Sequence, residues 1–262
     1  MATRASATSV SVREDRFFFL VALAMAAIMV AGFSTQLAAG RSSFASPFIV
    51  HLHAVVFFGW VTIFVLQTAL VSRGSMVLHR RLGWLAVAWS AAMVAVGVAL
   101  MLHVVRTGTV TFFFQPQHFF VAKILTLAAF AGLTWAAVAM RRRTDWHRRL
   151  HVSSMALLLG PAFGRMLPMP FMTPWAYQIA VLAGALALLV VAALDARRLG
   201  RFHRAWGVGL AVTGAVTLIA QVVGYGPIGA ALYRTATVGS PGAAIAPLDF
   251  GPAPPGLPTP QR

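Results

Sequence analysis

Four histidines lie at the ends of apolar segments, where they could bind a ligand. His51 and His53 open one apolar run, His103 lies near the end of the next, and His118 opens the run after that. Neutral imidazoles serve as axial ligands of haem iron and as hydrogen-bond partners of carbonyl oxygens. Since His51 and His53 are two residues apart, only one of them can point into a helical bundle.

Two permanent cations, Lys123 and Arg165, belong to the same group of polar residues, which contains no carboxylate. Sites for protons or sodium need a titrating or coordinating carboxylate, so transport driven by either ion is not expected. Asp195 is assigned to the border of its apolar run, outside the membrane. The group instead suits an apolar ligand that carries anionic or carbonyl oxygens.

Haem b fits that description, with His51 and His118 as iron ligands and the propionates paired with Arg165 and Lys123. The separation of 28 residues between His51 and His79 nearly equals the 29 between His118 and His147, as in a repeated helix pair with equivalent depths. His53 and His103 are predicted to lie at the same site without binding the iron. A quinone head group could use the same histidines, and histidines at helix ends also occur simply as interfacial residues.

The composition indicates a membrane protein. Hydrophobic residues make up 59% of the chain and charged residues 10%, with a mean hydropathy of +0.80, whereas soluble domains carry about 25% charged residues. The net charge of +16 is gathered in short clusters between apolar runs, which is typical of membrane topology signals and does not indicate nucleic-acid binding.

Seven apolar runs are long enough to cross a bilayer, which predicts an all-α bundle of seven transmembrane helices. Their approximate bounds are 17–39, 49–72, 83–105, 119–140, 152–170, 175–195 and 204–224. Gly160, Pro161 and Arg165 interrupt the fifth run. The predicted parts are a cytoplasmic tail over 1–16, the membrane domain over 17–225 and a disordered Pro/Gly-rich outer tail over 226–262.

The basic residues predict the orientation, because cytoplasmic loops retain arginine and lysine. With the N-terminus inside, 15 of the 21 basic residues are cytoplasmic: Arg4, Arg13, Arg16, Arg73, Arg80, Arg81, Arg141, Arg142, Arg143, Arg148, Arg149, Arg197, Arg198, Arg201 and Arg204. The C-terminus is then outside, and the expected location is the bacterial inner membrane.

The segments HAVVFFGWVTIFVLQ, LHRRLGW and WHRRLHVSSMALLLGPAFGR carry a resemblance. They resemble an uncharacterised family of polytopic bacterial inner-membrane proteins with His-Arg-Arg-Leu loops, which implies the helical architecture and no particular activity. The chain is also distantly similar in plan to cytochrome b561-type proteins, which hold haem b between histidines of neighbouring helices. That similarity implies one haem here, since the well-placed histidines lie on one side.

A non-enzymatic accessory subunit of a membrane complex is the alternative function. Small residues let membrane helices approach closely, so partner helices could bind at Gly160, Gly164, Gly207 and Gly214. His147 and His151 match one element of the histidine boxes of membrane di-iron enzymes, but no HxxHH box occurs. The basic loops are better explained as topology determinants that also contact anionic lipid head groups.

Overall fold

The computed structural model describes residues 2–42 and 44–257, with side chains described from Arg13 on. Within those residues the chain is helical, with no strand. Its α-helices are α1 Ala2–Ala38, α2 Phe48–Ser72, α3 Met76–Thr107, α4 Pro116–Ala139, α5 Thr144–Leu157, α6 Gly160–Met166, α7 Ala176–Leu199, α8 Arg204–Tyr225 and α9 Pro227–Thr237. Short 3-10 helices occur at Met169–Met172 and Pro241–Ala244.

Six helices of the described part are long and apolar enough to span a membrane. They are α1 from Arg13 on, α2, α3, α4, α7 and α8. A long helix satisfies its own backbone hydrogen bonds, which lipid cannot do. The prediction of an all-helical, multi-pass membrane protein is confirmed at this level.

The predicted fifth span, 152–170, is not one continuous helix. The helix begins earlier, at Thr144, ends at Leu157, and is followed by the separate seven-residue α6 from Gly160. Pro161 explains the break, because it has no N–H to donate to the carbonyl of Leu157 and its ring crowds the preceding turn. The segment is therefore a broken helix made of α5 and α6.

The broken helix runs alongside α1. Arg149 Nη2 donates to Glu14 Oε1 over 3.1 Å near the start of the apolar part of α1. At the other end, Gln36 Nε2 donates to the carbonyl of Arg165 over 2.7 Å. Glu14 and Gln36 are about 33 Å apart along a helix that rises 1.5 Å per residue. We call the end of the bundle with Arg149 the basic end, and the end with Arg165 the far end.

The core joins these helices through aromatic contacts. The ring of Phe130 on α4 is fully buried and lies edge-on to Trp60 of α2, with centroids 5.4 Å apart. Phe18 of α1 stacks on Trp206 of α8 at 6.4 Å. Such aromatic pairs anchor α1, α2, α4 and α8 to one another.

The small-residue positions are mostly used inside the bundle. A Cβ added at Gly160 or at Gly164 would lie 3.6 Å from Ala180 of α7, so both glycines already face a helix of the same chain. Gly207 adjoins Phe202, and nothing lies within 4 Å of an added Cβ at Gly214. Of the four glycines predicted to contact a partner helix, Gly214 is the one with open space beside it.

The predicted disordered tail is wrong for the described residues, which end at 257. α9 packs against α3, α4 and α8 and buries Tyr233. Beyond it, Gln117 N–H donates to Pro247 O over 2.8 Å, and Gly251 N–H donates to Phe112 O over 3.0 Å. Proline removes backbone donors but keeps its carbonyl acceptor, so a Pro-rich segment can still dock on exposed N–H groups.

The predicted N-terminal tail, 1–16, is helical over residues 2–16. The first helix begins at Ala2, so these residues continue directly into the apolar part of α1. Glu14 and Asp15 face α5, where arginines bind them. These ion pairs join α1 to α5 just before the apolar segment begins. Residues 1 and 258–262 lie outside the described part.

Candidate functional site

A groove between α1 and α2 contains one predicted ligand-binding residue, His53. The groove has a cavity volume of about 80 Å³ and apolar walls, which include the rings of Phe33 of α1 and of Phe57 and Phe58 of α2. The His53 ring lies 4.0 Å from the Phe57 ring, centroid to centroid, and Phe33 meets Phe58 edge-on at 5.2 Å. A single polar side chain therefore faces an apolar, aromatic groove.

Arg165, a second predicted residue, does not line the groove but packs on Phe33, one of the residues that do. Its guanidinium carbon is 4.2 Å from the centroid of the Phe33 ring, and Nη1 donates to Pro161 O over 2.9 Å. Arg165 is also close enough to act electrostatically on His53. The broken helix thus brings a planar cation beside the histidine, which the residue spacing in the sequence could not show.

His51 and His103 do not join this group. Both are partly buried, and neither ring makes a hydrogen bond or ring contact with another described residue. His51 is two positions from His53, which places it on a different face of α2. The inward histidine of the pair is therefore His53, whereas the haem prediction assigned an iron ligand to His51.

His118 lies in a different place, between α4, α7 and α8. Its ring stacks on Tyr225 at 4.6 Å and meets Tyr177 edge-on at 4.9 Å. An added Cβ at Gly224 would lie 2.8 Å from His118 Cδ2, so α8 packs directly against this edge of the imidazole. The neighbouring Nε2 is buried and has no hydrogen-bond partner among the described residues.

These contacts do not fit haem ligation by His51 and His118. The Cδ2 edge of His118 packs against Gly224 of α8, and the adjacent Nε2 is buried, which leaves no open approach for an iron atom to Nε2. The groove at His53 measures about 80 Å³, whereas pockets for ligands of this size measure ~300–1,000 Å³. The site suits a flat ring smaller than a porphyrin.

Glutamines and tyrosines form a polar cluster at the far end near His118. Gln178 Nε2 donates to Gln221 Oε1 over 3.3 Å, and the Tyr225 hydroxyl donates to Gln115 Oε1 over 2.7 Å. Gln178 Oε1 and Gln221 Nε2 are buried without a partner. Because these groups lie between α4, α7 and α8, they hold that end of the bundle together at the cost of unsatisfied polar atoms.

Lys123 lies deeper, one and a half turns further along α4. Its ammonium is 5.1 Å from the centroid of the Tyr177 ring and 5.2 Å from that of Phe119. Lys123 lines a cavity other than the groove of His53. The two cations predicted to bind one ligand therefore do not line a common cavity.

The buried ion pair of Arg149 with Asp195 was missed by sequence reasoning, which placed Asp195 at the membrane border. The structure shows that both residues are buried inside the protein: Asp195 is 0% exposed and Arg149 is 1% exposed. Asp195 Oδ2 accepts from Arg149 Nε and from Trp206 Nε1, each over 2.8 Å. The signal that could have indicated this pair was the small number of acidic residues. The chain has five, and four of them lie at the basic end of the bundle.

Three histidines meet at the basic end. The His147 ring lies 4.7 Å from His151 and 6.4 Å from His79 of α3. His147 Nδ1 donates to Ala137 O over 2.8 Å. Within residues 2–42 and 44–257, no three histidines or acids are arranged so as to hold a metal ion. The cluster packs α3 against α5.

Among the described residues, polar side chains thus lie at several separate points of the apolar bundle, including the groove of His53, the cavity at Lys123 and the ion pair of Arg149 with Asp195. The groove combines three phenylalanine rings with one hydrogen-bonding side chain, His53. Comparison of the chain with protein-family models, with curated proteins and with solved structures found no match.

Proposed function

We propose that this protein binds the head group of a lipid-soluble quinone in the groove between α1 and α2. The observation that carries the proposal is the position of His53 in a groove whose lining includes three phenylalanines, with Arg165 packed on one of them, Phe33. A closed apolar cavity of ~150 Å³ holds a benzene ring. The groove is smaller and partly open, so the ring enters with one edge still in the lipid.

The donor chemistry supports a ligand with carbonyl oxygens. A guanidinium only donates hydrogen bonds, and an imidazole donates through one ring nitrogen while accepting through the other. His53 and Arg165 can therefore both donate to a quinone carbonyl, and His53 can accept from the hydroxyl of the reduced form. The cation also favours the negative charge that reduction places on the ring oxygens. Electron acceptance is the chemistry that the bound quinone would supply.

Replacement of His53 by leucine is the test of this proposal. In lipid nanodiscs, a short-tailed ubiquinone analogue should bind the wild-type protein, and His53→Leu should weaken binding at least tenfold, about the effect of losing one buried hydrogen bond to the ligand. The matched control is His51→Leu, two residues away on another face of α2, which should bind like the wild type. Titration calorimetry measures both.

A photoreactive azido-quinone gives a second readout, since it should label peptides that contain Phe33 and Phe58. Equal affinities of the His53→Leu and wild-type proteins, or label confined to other helices, contradict the proposal. A low-spin haem b spectrum that disappears in both His51→Ala and His118→Ala would show that the ligand is haem b and not a quinone. A colourless preparation that takes up no added haemin leaves the quinone in place.

We further propose seven crossings of a bacterial inner membrane, the broken helix being the fifth, with the N-terminus inside and the C-terminus outside. The support is the length of α5 and α6 along α1, together with the arginines of the basic end. Green fluorescent protein inserted between Arg141 and Arg142 should fluoresce, and alkaline phosphatase fused after the last residue should be active. Active phosphatase at both positions contradicts this orientation.

A further inference from the structure

A second cavity lies between α4, α7, α8 and the break between α5 and α6 in the broken helix. It measures about 30 Å³. Its polar lining comes from Lys123, Tyr177 and three threonines, and the rest of its lining, including Gly160 and Pro161 of the break, is apolar. A volume of ~10–15 Å³ accommodates one water molecule. The cavity therefore has room for about two waters, or for one small ion of similar size.

Lys123 is the one lysine among the 21 basic residues of the chain, and it lines this cavity. No described carboxylate forms an ion pair with its ammonium, and Arg165 is close enough to repel it. Four of the five acidic residues, Glu14, Asp15, Asp145 and Asp195, lie at the basic end. A cation enclosed by helices without a counterion is costly, which favours uptake of an anion.

The remaining hydrogen-bond donors at the cavity match a small anion. Thr126, Thr213 and Thr217 each donate to a backbone carbonyl, so their hydroxyl protons are in use. The three ammonium protons of Lys123 make no hydrogen bond with the described residues. Tyr177 also lines the cavity, but its hydroxyl is hydrogen-bonded to Thr126. We propose that Lys123 binds one halide ion here, beside Tyr177; tetrahedral oxyanions are too large for the space.

Thermal unfolding in detergent tests the site. At constant ionic strength, replacing gluconate by 100 mM chloride or bromide should raise the Tm of the wild-type protein by about 3 °C, as expected for a ligand that binds the folded state alone at roughly tenfold its Kd. Lys123→Met should abolish the rise. The control Arg106→Met removes an exposed far-end cation and should keep it.

A second measurement needs no variant. Protein labelled with 15N at the lysine side chain should give one ammonium resonance, because Lys123 is the only source, and that resonance should shift with halide and saturate. No shift, a linear shift without saturation, or a Tm rise retained in Lys123→Met overturns the proposal. The effect should persist in His53→Leu, since His53 lies in the groove, so a failed quinone site and a failed halide site are distinguishable.

Discussion

Replacement of Asp195 by asparagine should destabilise the bundle by about 3 kcal/mol, which is the lower part of the range for breaking a buried ion pair. The substitution keeps the shape of the side chain but removes the charge that faces Arg149, and both residues are at most 1% exposed. The expected loss of stability is at the lower end of that range because Glu14 still pairs with Arg149 at 3.1 Å. Unfolding in mixed detergent and SDS, followed by circular dichroism, measures it.

Two further variants separate charge from packing. Arg148→Met removes the neighbouring arginine, whose side chain is 21% exposed and pairs with Asp15, so the expected cost is ~1 kcal/mol or less. The double variant Arg149→Met with Asp195→Leu should recover most of the lost stability, because it removes both charges together. If Asp195→Asn costs no more than Arg148→Met, the ion pair does not stabilise the fold.

Replacement of Gly32 by alanine should force α1 away from α6 and cost about 1–3 kcal/mol. A Cβ at this position would lie 2.5 Å from the carbonyl oxygen of Ala162 and 2.9 Å from its Cα. Both are backbone atoms, which cannot move aside as a flexible side chain does. Gly32 adjoins Phe33 in the wall of the groove, so the same substitution should also weaken quinone binding.

Gly132 provides the matched control for this prediction. It lies within α4, is exposed, and an added Cβ meets no atom within 4 Å. Gly132→Ala should therefore leave stability unchanged or raise it by up to ~1 kcal/mol through helix propensity. Similar unfolding curves for the two alanine variants would show that close approach of α1 to α6 is not required.

Hydropathy alone predicted the class of the fold and most of the helices, because crossing lipid demands long apolar segments whatever the tertiary contacts are. The break near Pro161 was also visible in the sequence, since proline acts locally. Helix starts were less predictable: α3 begins at Met76, seven residues before the predicted 83, because its first turns are polar and lie beyond the apolar run.

The direction of each side chain around its helix could not be predicted. In a membrane both lipid and core are apolar, so periodicity does not show which face is buried. The prediction consequently chose His51 as the ligand residue, although His53 is the one at the groove. It also placed Lys123 and Arg165 at one ligand, because depth could be estimated from the sequence whereas the arrangement of helices could not.

The docked C-terminal segment has a consequence for biosynthesis. The backbone N–H of Gln117 and the carbonyl of Phe112 pair with Pro247 and Gly251, more than 120 residues later in the chain. These groups stay without their partners until the chain has been synthesised beyond Gly251, even if the long helices are already inserted. With the proposed orientation, docking then requires export of a short proline-rich segment, and a chain truncated before Pro247 would expose this end to surface proteases.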